Sequence, residues 1–171
     1  MSRRLFGALA VIAMTGATGL PAIASDLAAP TGEVMLTVSG NVETTNVDGT
    51  AQLDLDMLEA MDTTTIETST IWTEGMQTFE GVSLAALVEA LGITGETLRA
   101  TAINDYEIEI PMTDAVEGGP IVAYRQNGDT MSLRDKGPLW IIYPYDADAD
   151  YRTEVIYSRS IWQMDRIEAV D

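Results

Sequence analysis

Asp146, Asp148 and Asp150 alternate with alanine directly after the apolar run Leu139-Trp140-Ile141-Ile142 and the segment Tyr143-Pro144-Tyr145. Alternate carboxylates are how a calcium loop converges oxygen ligands on a hard cation. Here, however, Tyr151 stands where such a loop needs its sharp-turn glycine, and Tyr157 where it needs a bidentate glutamate. The repeat reads as a solvated acidic loop. Glu107 and Glu109 form a second carboxylate pair of the kind that does acid-base work on sugars. Interleaved with Ile108 and Ile110, they read instead as one face of an amphipathic strand.

Cysteine and histidine are absent from the sequence. Their absence removes disulfides, thiolate nucleophiles, Cys or His metal ligands and imidazole acid-base chemistry. What is left is a concentration of flat side chains beside cations. Trp140, Tyr143, Tyr145, Tyr151, Tyr157 and Trp162 are interleaved with Arg152 and Arg159, and Trp72 stands apart in a Thr-rich stretch. Such rings either fill a β core or stack on a planar heteroaromatic ligand. Stacking supplies about 1–3 kcal/mol per ring and an ionic hydrogen bond about 1.5–3 kcal/mol, enough together for micromolar binding without a metal.

The charge balance narrows the partners. Against 9 Lys and Arg stand 27 Asp and Glu, a formal net charge of −18. A surface of that sign repels phosphate backbones and anionic lipid, which excludes nucleic acid and membrane-surface binding. From Ser25 to Leu98 there is no Lys or Arg at all, so an anionic group on a ligand must be met by the C-terminal half.

Residues 1–24 carry Arg3 and Arg4, an interrupted apolar stretch from Leu5 to Leu20, Pro21 and Ala22-Ile23-Ala24. That order is the mark of a cleaved export signal and predicts a periplasmic mature protein. Ser2-Arg3-Arg4-Leu5-Phe6 is similar to a twin-arginine core, so both that route and the general secretory route stay open. No later segment is long and apolar enough to insert into a bilayer. Residues 25–32 read as a flexible mature N-terminus, and residues 33–171 have the length of one domain.

The elements that must position these residues are mostly strands. Alternation predicts strands over 33–42, 63–70, 100–103, 106–110, 121–125, 130–133, 139–142 and 167–170. Asn104-Asp105 and Asn127-Gly128-Asp129 mark two hairpin corners. Leu53, Met57, Leu58 and Met61 are spaced for a helix, and residues 113–116 for a short one. The strongest helical signal is Leu84, Leu87, Val88 and Leu91, with Ser83 as N-cap and Gly92 as C-cap. The expectation is an α+β domain, mainly β, with a few short helices.

An ordered set of short motifs runs through the chain. It comprises Trp72-Thr73-Glu74-Gly75, Phe79-Glu80-Gly81-Val82-Ser83-Leu84 with Leu87-Val88, Asn104-Asp105-Tyr106 with Ile110-Pro111, Asp135-Lys136-Gly137-Pro138-Leu139-Trp140, Tyr143-Pro144, and Ser160-Ile161-Trp162 with Arg166-Ile167-Glu168. Together they resemble the oxidoreductase molybdopterin-binding domain, the sulfite-oxidase fold, and in particular its small exported stand-alone members. In the family's enzymes the resemblance implies a cysteine thiolate on molybdenum and basic residues holding the phosphate of the pterin cofactor. This chain has Ser69 and Thr70 in the region expected to supply the thiolate, and a hydroxyl is a poor ligand for that metal.

What the resemblance then implies is a periplasmic pterin-binding protein, non-catalytic, reporting to the periplasmic domain of a membrane enzyme that controls cyclic-di-GMP. Trp72, Tyr106, Tyr143, Tyr157 and Trp162 are candidates for stacking. Glu74 and Asp105, with Asn104, are candidates for the amino-pyrimidinone edge. Arg125, Arg134 and Arg159 are candidates for the ring carbonyl or side chain. Two alternatives stay open: an oxidoreductase or redox subunit that takes molybdenum cofactor through a non-cysteine site, and a ligand-free adaptor domain.

Overall fold

The computed structural model describes residues 27–171. The export signal and twin-arginine motif read from the sequence lie outside the described residues. The described chain runs β1 (Leu36–Gly40), β2 (Ala51–Leu53), α1 (Leu55–Glu59), β3 (Thr63–Ser69), β4 (Met76–Ser83), α2 (Leu84–Leu91), β5 (Thr97–Ala102) and β6 (Glu107–Pro111). It continues through β7 (Ile121–Gln126), β8 (Asp129–Thr130), β9 (Leu139–Ile142), α3 (Glu154–Arg159) and β10 (Trp162–Val170). It is mainly β with three short α-helices among the described residues, as composition and alternation imply. None of these helices is long and apolar enough to cross a membrane.

The strands form one curled mixed sheet in the order β2-β1-β10-β9-β7-β4-β3, with β5 and β6 branching from β10 and β8 from β7. β10 is the junction. Its first residues pair antiparallel with β9, its later ones pair parallel with β1, and β5 runs antiparallel along it. The register slips on both sides of β10: against β9 between Trp162 and Met164, at Gln163, whose φ is +53°, and against β5 between Met164 and Arg166. A bulge of this kind re-aims the neighbouring side chain. In a regular strand Trp162 and Met164 would be equally buried on one face. Here Met164 is fully buried while Trp162 is 38% exposed.

Local chemistry explains the elements that the sequence makes legible. Ser83 accepts from the N–H of Ala86, and Gly92 ends α2 in the left-handed region at φ +59°. Asn127 and Gly128 both have positive φ, as a two-residue hairpin turn requires. The run Leu139–Ile142 is buried throughout because β9 lies inside the sheet, between β7 and β10.

Four segments depart from the alternation pattern. Ala51–Leu53 is a strand that shortens the expected helix to Leu55–Glu59, and Thr130 ends β8 before a 3-10 turn at Leu133–Asp135. Met76–Ser83 is a strand although it contains Gly81. A Cβ there would stand 2.2 Å from the carbonyl oxygen of Val122, so the glycine marks close strand approach rather than a turn. Glu154–Arg159 is a helix where periodicity is weak, started by Thr153 accepting from the N–H of Ile156.

The segment before β1 is tied down by one carboxylate. Asp54, 2% exposed, accepts from the N–H groups of Thr31, Gly32 and Met57 at 2.8–3.0 Å. The bonds from Gly32 and Met57 hold its pKa below the ordinary 3.8. A carboxyl depressed in the folded state contributes stability above its unfolded pKa and loses it as pH falls through the folded value. The urea midpoint is therefore expected to drop on acidification below about pH 4. Asp54→Asn should start lower and show a shallower acid slope; an unchanged slope would remove Asp54 from the account.

Candidate functional site

The tips of β3 and β10, the β5–β6 corner and the end of α3 enclose a cleft of about 440 Å³. Its walls are Trp72, Tyr106, Tyr157 and Trp162, and its polar lining is Asn104, Ser158, Ser160 and Gln163. That volume is in the range of sites for small planar ligands.

Trp72 is the hub. Its ring centroid lies 5.7 Å from those of Trp140, Tyr157 and Trp162 and 6.2 Å from that of Tyr145, all at interplanar angles between 62° and 85°. Edge contacts suit the ring quadrupole and each adds about 0.5–1.5 kcal/mol to the burial. No two rings of the described cluster lie parallel; each edge contact seats the rim of one ring against its neighbour.

Two amide groups add directionality. Asn104 accepts from the N–H of Tyr106 at 3.2 Å, and its amide nitrogen has no partner among the described residues. Gln163 donates from its amide nitrogen to the carbonyl of Leu133 at 2.7 Å, and its amide oxygen likewise has none. A donor and an acceptor are thus left for the edge of a ligand. Ser160 is already satisfied: its hydroxyl accepts from Tyr145 at 2.7 Å and donates to the carbonyl of Ile156 at 2.9 Å.

Of the residues proposed from sequence, Trp72, Asn104, Tyr106, Tyr157 and Trp162 meet in this cleft. The others do not line it. Asp105 accepts from Arg166 at 2.9 Å on the outside of the corner, and Glu74 sits exposed in the turn before β4. Arg125 donates to Glu59 at 3.1 Å, and Arg134 is exposed on the 3-10 turn before β9. Tyr143 is fully buried and donates to Asp114 at 2.7 Å, and Arg159 donates to the same oxygen at 2.8 Å. This triad lies one ring beyond the cleft, through Tyr145 to Tyr157. Burial, with the bond to Asp114 second, drives the Tyr143 phenol far above its ordinary range; burial, partly offset by the bond to Ser160, pushes Tyr145 up to about 12.

Gln163, Ser158, Ser160, Ile161 and Ala102 also line the cleft without having been anticipated. Their residue types carry no signal; the bulge and α3 bring them there. The acidic repeat likewise has a structural task. Asp146 accepts from the N–H and hydroxyl of Ser69 at 2.6 and 2.9 Å, and its own N–H donates to Thr68 at 3.1 Å. These bonds lower its pKa and fix the end of β3, from which Trp72 hangs. Among the described residues no group of three His, Cys, Asp or Glu is placed to hold a metal ion.

A family model described as the oxidoreductase molybdopterin binding domain matches residues 28–147. Among curated protein sequences nothing matches. Among solved structures, the sulfane dehydrogenase SoxCD from Paracoccus pantotrophus superposes with a TM-score of 0.57 at 18% identity, covering 80% of this chain. This chain spans 38% of that one, so the likeness is one of fold.

Proposed function

The chain belongs to the oxidoreductase molybdopterin binding domain family, and from that premise we propose that it is a periplasmic protein that captures a pterin without transforming it. The observation that carries this reading is the cleft, an open space of about 440 Å³ lined by Trp72, Tyr157 and Trp162. A flat bicyclic ring suits those walls, and the free donor of Asn104 and acceptor of Gln163 match the alternating edge of an amino-pyrimidinone.

The family's metal chemistry does not fit the donors present. The sequence has no cysteine. The hydroxyls nearest the expected ligand position are committed, Ser69 to Asp146 at 2.9 Å and Thr70 to Thr73 at 2.7 Å. Neither is a soft anionic ligand for molybdenum. No Lys or Arg is among the residues lining the cleft, and Lys136 lies over the ring of Trp162, one of its walls. The part of the family's chemistry that the residues suit is recognition of the ring.

A binder that does not turn over its ligand acts by reporting occupancy. The proposed listener is the periplasmic domain of a membrane signalling enzyme. The family match ends at residue 147, before α3 and β10, which supply one wall of the cleft. Titration of the purified protein with oxidised and reduced pterins, followed by tryptophan fluorescence, is expected to give saturable one-to-one quenching in the micromolar range. No quenching at high micromolar pterin would sink the proposal.

A further inference from the structure

Lys136 is the only lysine in the sequence, and it stands in an unusual place. It follows the 3-10 turn Leu133–Asp135 as the C-cap, with φ +72°. That left-handed position is the one glycine or asparagine fills at least cost. A lysine tolerated there points to a use for its side chain.

The ammonium sits against the aromatic cluster. Its nitrogen is 5.2 Å from the ring centroid of Trp162, a cleft wall, and 5.6 Å from that of Trp140. Its backbone carbonyl accepts from the N–H of Gln163 at 2.9 Å, which fastens it to the bulge that turns Trp162 outward. In a chain with 27 acids this cation makes no ion pair among the described residues. The pairs found there engage Arg99, Arg125, Arg152, Arg159 and Arg166 instead. Arg134 is also without one, but it is exposed and lies over no ring of the cluster.

We infer that the cleft's ligand is an anionic heteroaromatic, a planar ring bearing a carboxylate or similar acid, and that Lys136 receives the acid beyond the edge of Trp162. The inference rests on the pterin reading for the ring and adds the charge. A surface of net charge −18 opposes any anion, so a preference for one has to come from a local cation. A half-buried ammonium beside two indole faces is screened less than a free surface lysine.

The test compares pterin-6-carboxylate with neutral 6-hydroxymethylpterin by calorimetry on the full mature protein. The acid is expected to bind at least about tenfold more tightly, in line with an ionic hydrogen bond. Lys136→Asn, neutral and at ease in the left-handed region, should erase that difference while changing the neutral ligand by less than about twofold. Lys136→Arg should retain it. Equal binding of both ligands, or equal loss of both in Lys136→Asn, overturns the assignment and leaves the pterin reading standing. Binding of neither overturns both.

Discussion

Trp72→Ala is expected to weaken pterin binding by about 5- to 100-fold and to destabilise the fold by about 2–3 kcal/mol. The two losses have one cause. Trp72 is both a wall of the cleft and the ring on which Trp140, Tyr145, Tyr157 and Trp162 converge. Its removal deletes a stacking face and leaves the edges of four neighbours against a void, and a half-buried indole carries less of the cavity cost than a fully buried one. Trp72→Phe keeps a flat ring and should recover most of the stability and part of the affinity. Urea melts and fluorescence titration of both variants check the expectation; undiminished binding by Trp72→Ala would place the ligand elsewhere.

Asp114→Ala has the second largest expected effect, about 2–4 kcal/mol of stability. Two donors end on one carboxylate oxygen, the buried phenol of Tyr143 and the guanidinium of Arg159. Without it the phenol is left unpaired out of reach of water, and a cation with 23% of its side chain exposed loses its counter-charge. Asp114→Asn retains an acceptor and should cost less. In a Tyr143→Phe background Asp114→Ala should also cost less, because one of the stranded donors is already gone. Arg159 ends α3, and α3 carries Tyr157 to the cleft, so Asp114→Ala is expected to lower pterin affinity several-fold as well. Full additivity of the two substitutions would show that the phenol and the carboxylate are not coupled.

Much of the scaffold is legible in residue types alone, because its signals are local. Four consecutive large apolar residues announce β9, a capped apolar stripe announces α2, and Asn127-Gly128 announces a hairpin. β4 and α3 are hidden for opposite reasons. Gly81 looks like a turn residue until the approach of Val122 is known, and α3 is too short to establish a period. At the site, Trp72, Tyr106, Tyr157 and Trp162 could be named because large aromatic side chains are conspicuous wherever they fall. Gln163 could not, since its position depends on a bulge between strands distant in sequence. The charged candidates were beyond reach for a similar reason. Whether Asp105 faces a ligand or Arg166, and whether Arg125 faces a ligand or Glu59, is decided by tertiary partners that no local pattern encodes.

β10 has a consequence for how the molecule comes into being. Thr37 of β1 lies beside Arg166 of β10, a pairing of residues from opposite ends of the described chain, and β5 and β9 close on the same strand. Contacts of such sequence separation form late and slowly. A chain emerging from the ribosome therefore has no strand on which to seat β1, β5 or β9 together until residues 162–170 have been made. Up to that moment only partial pairings such as β1–β2, β5–β6 and β3–β4–β7–β9 are available to it, and the single curled sheet cannot close.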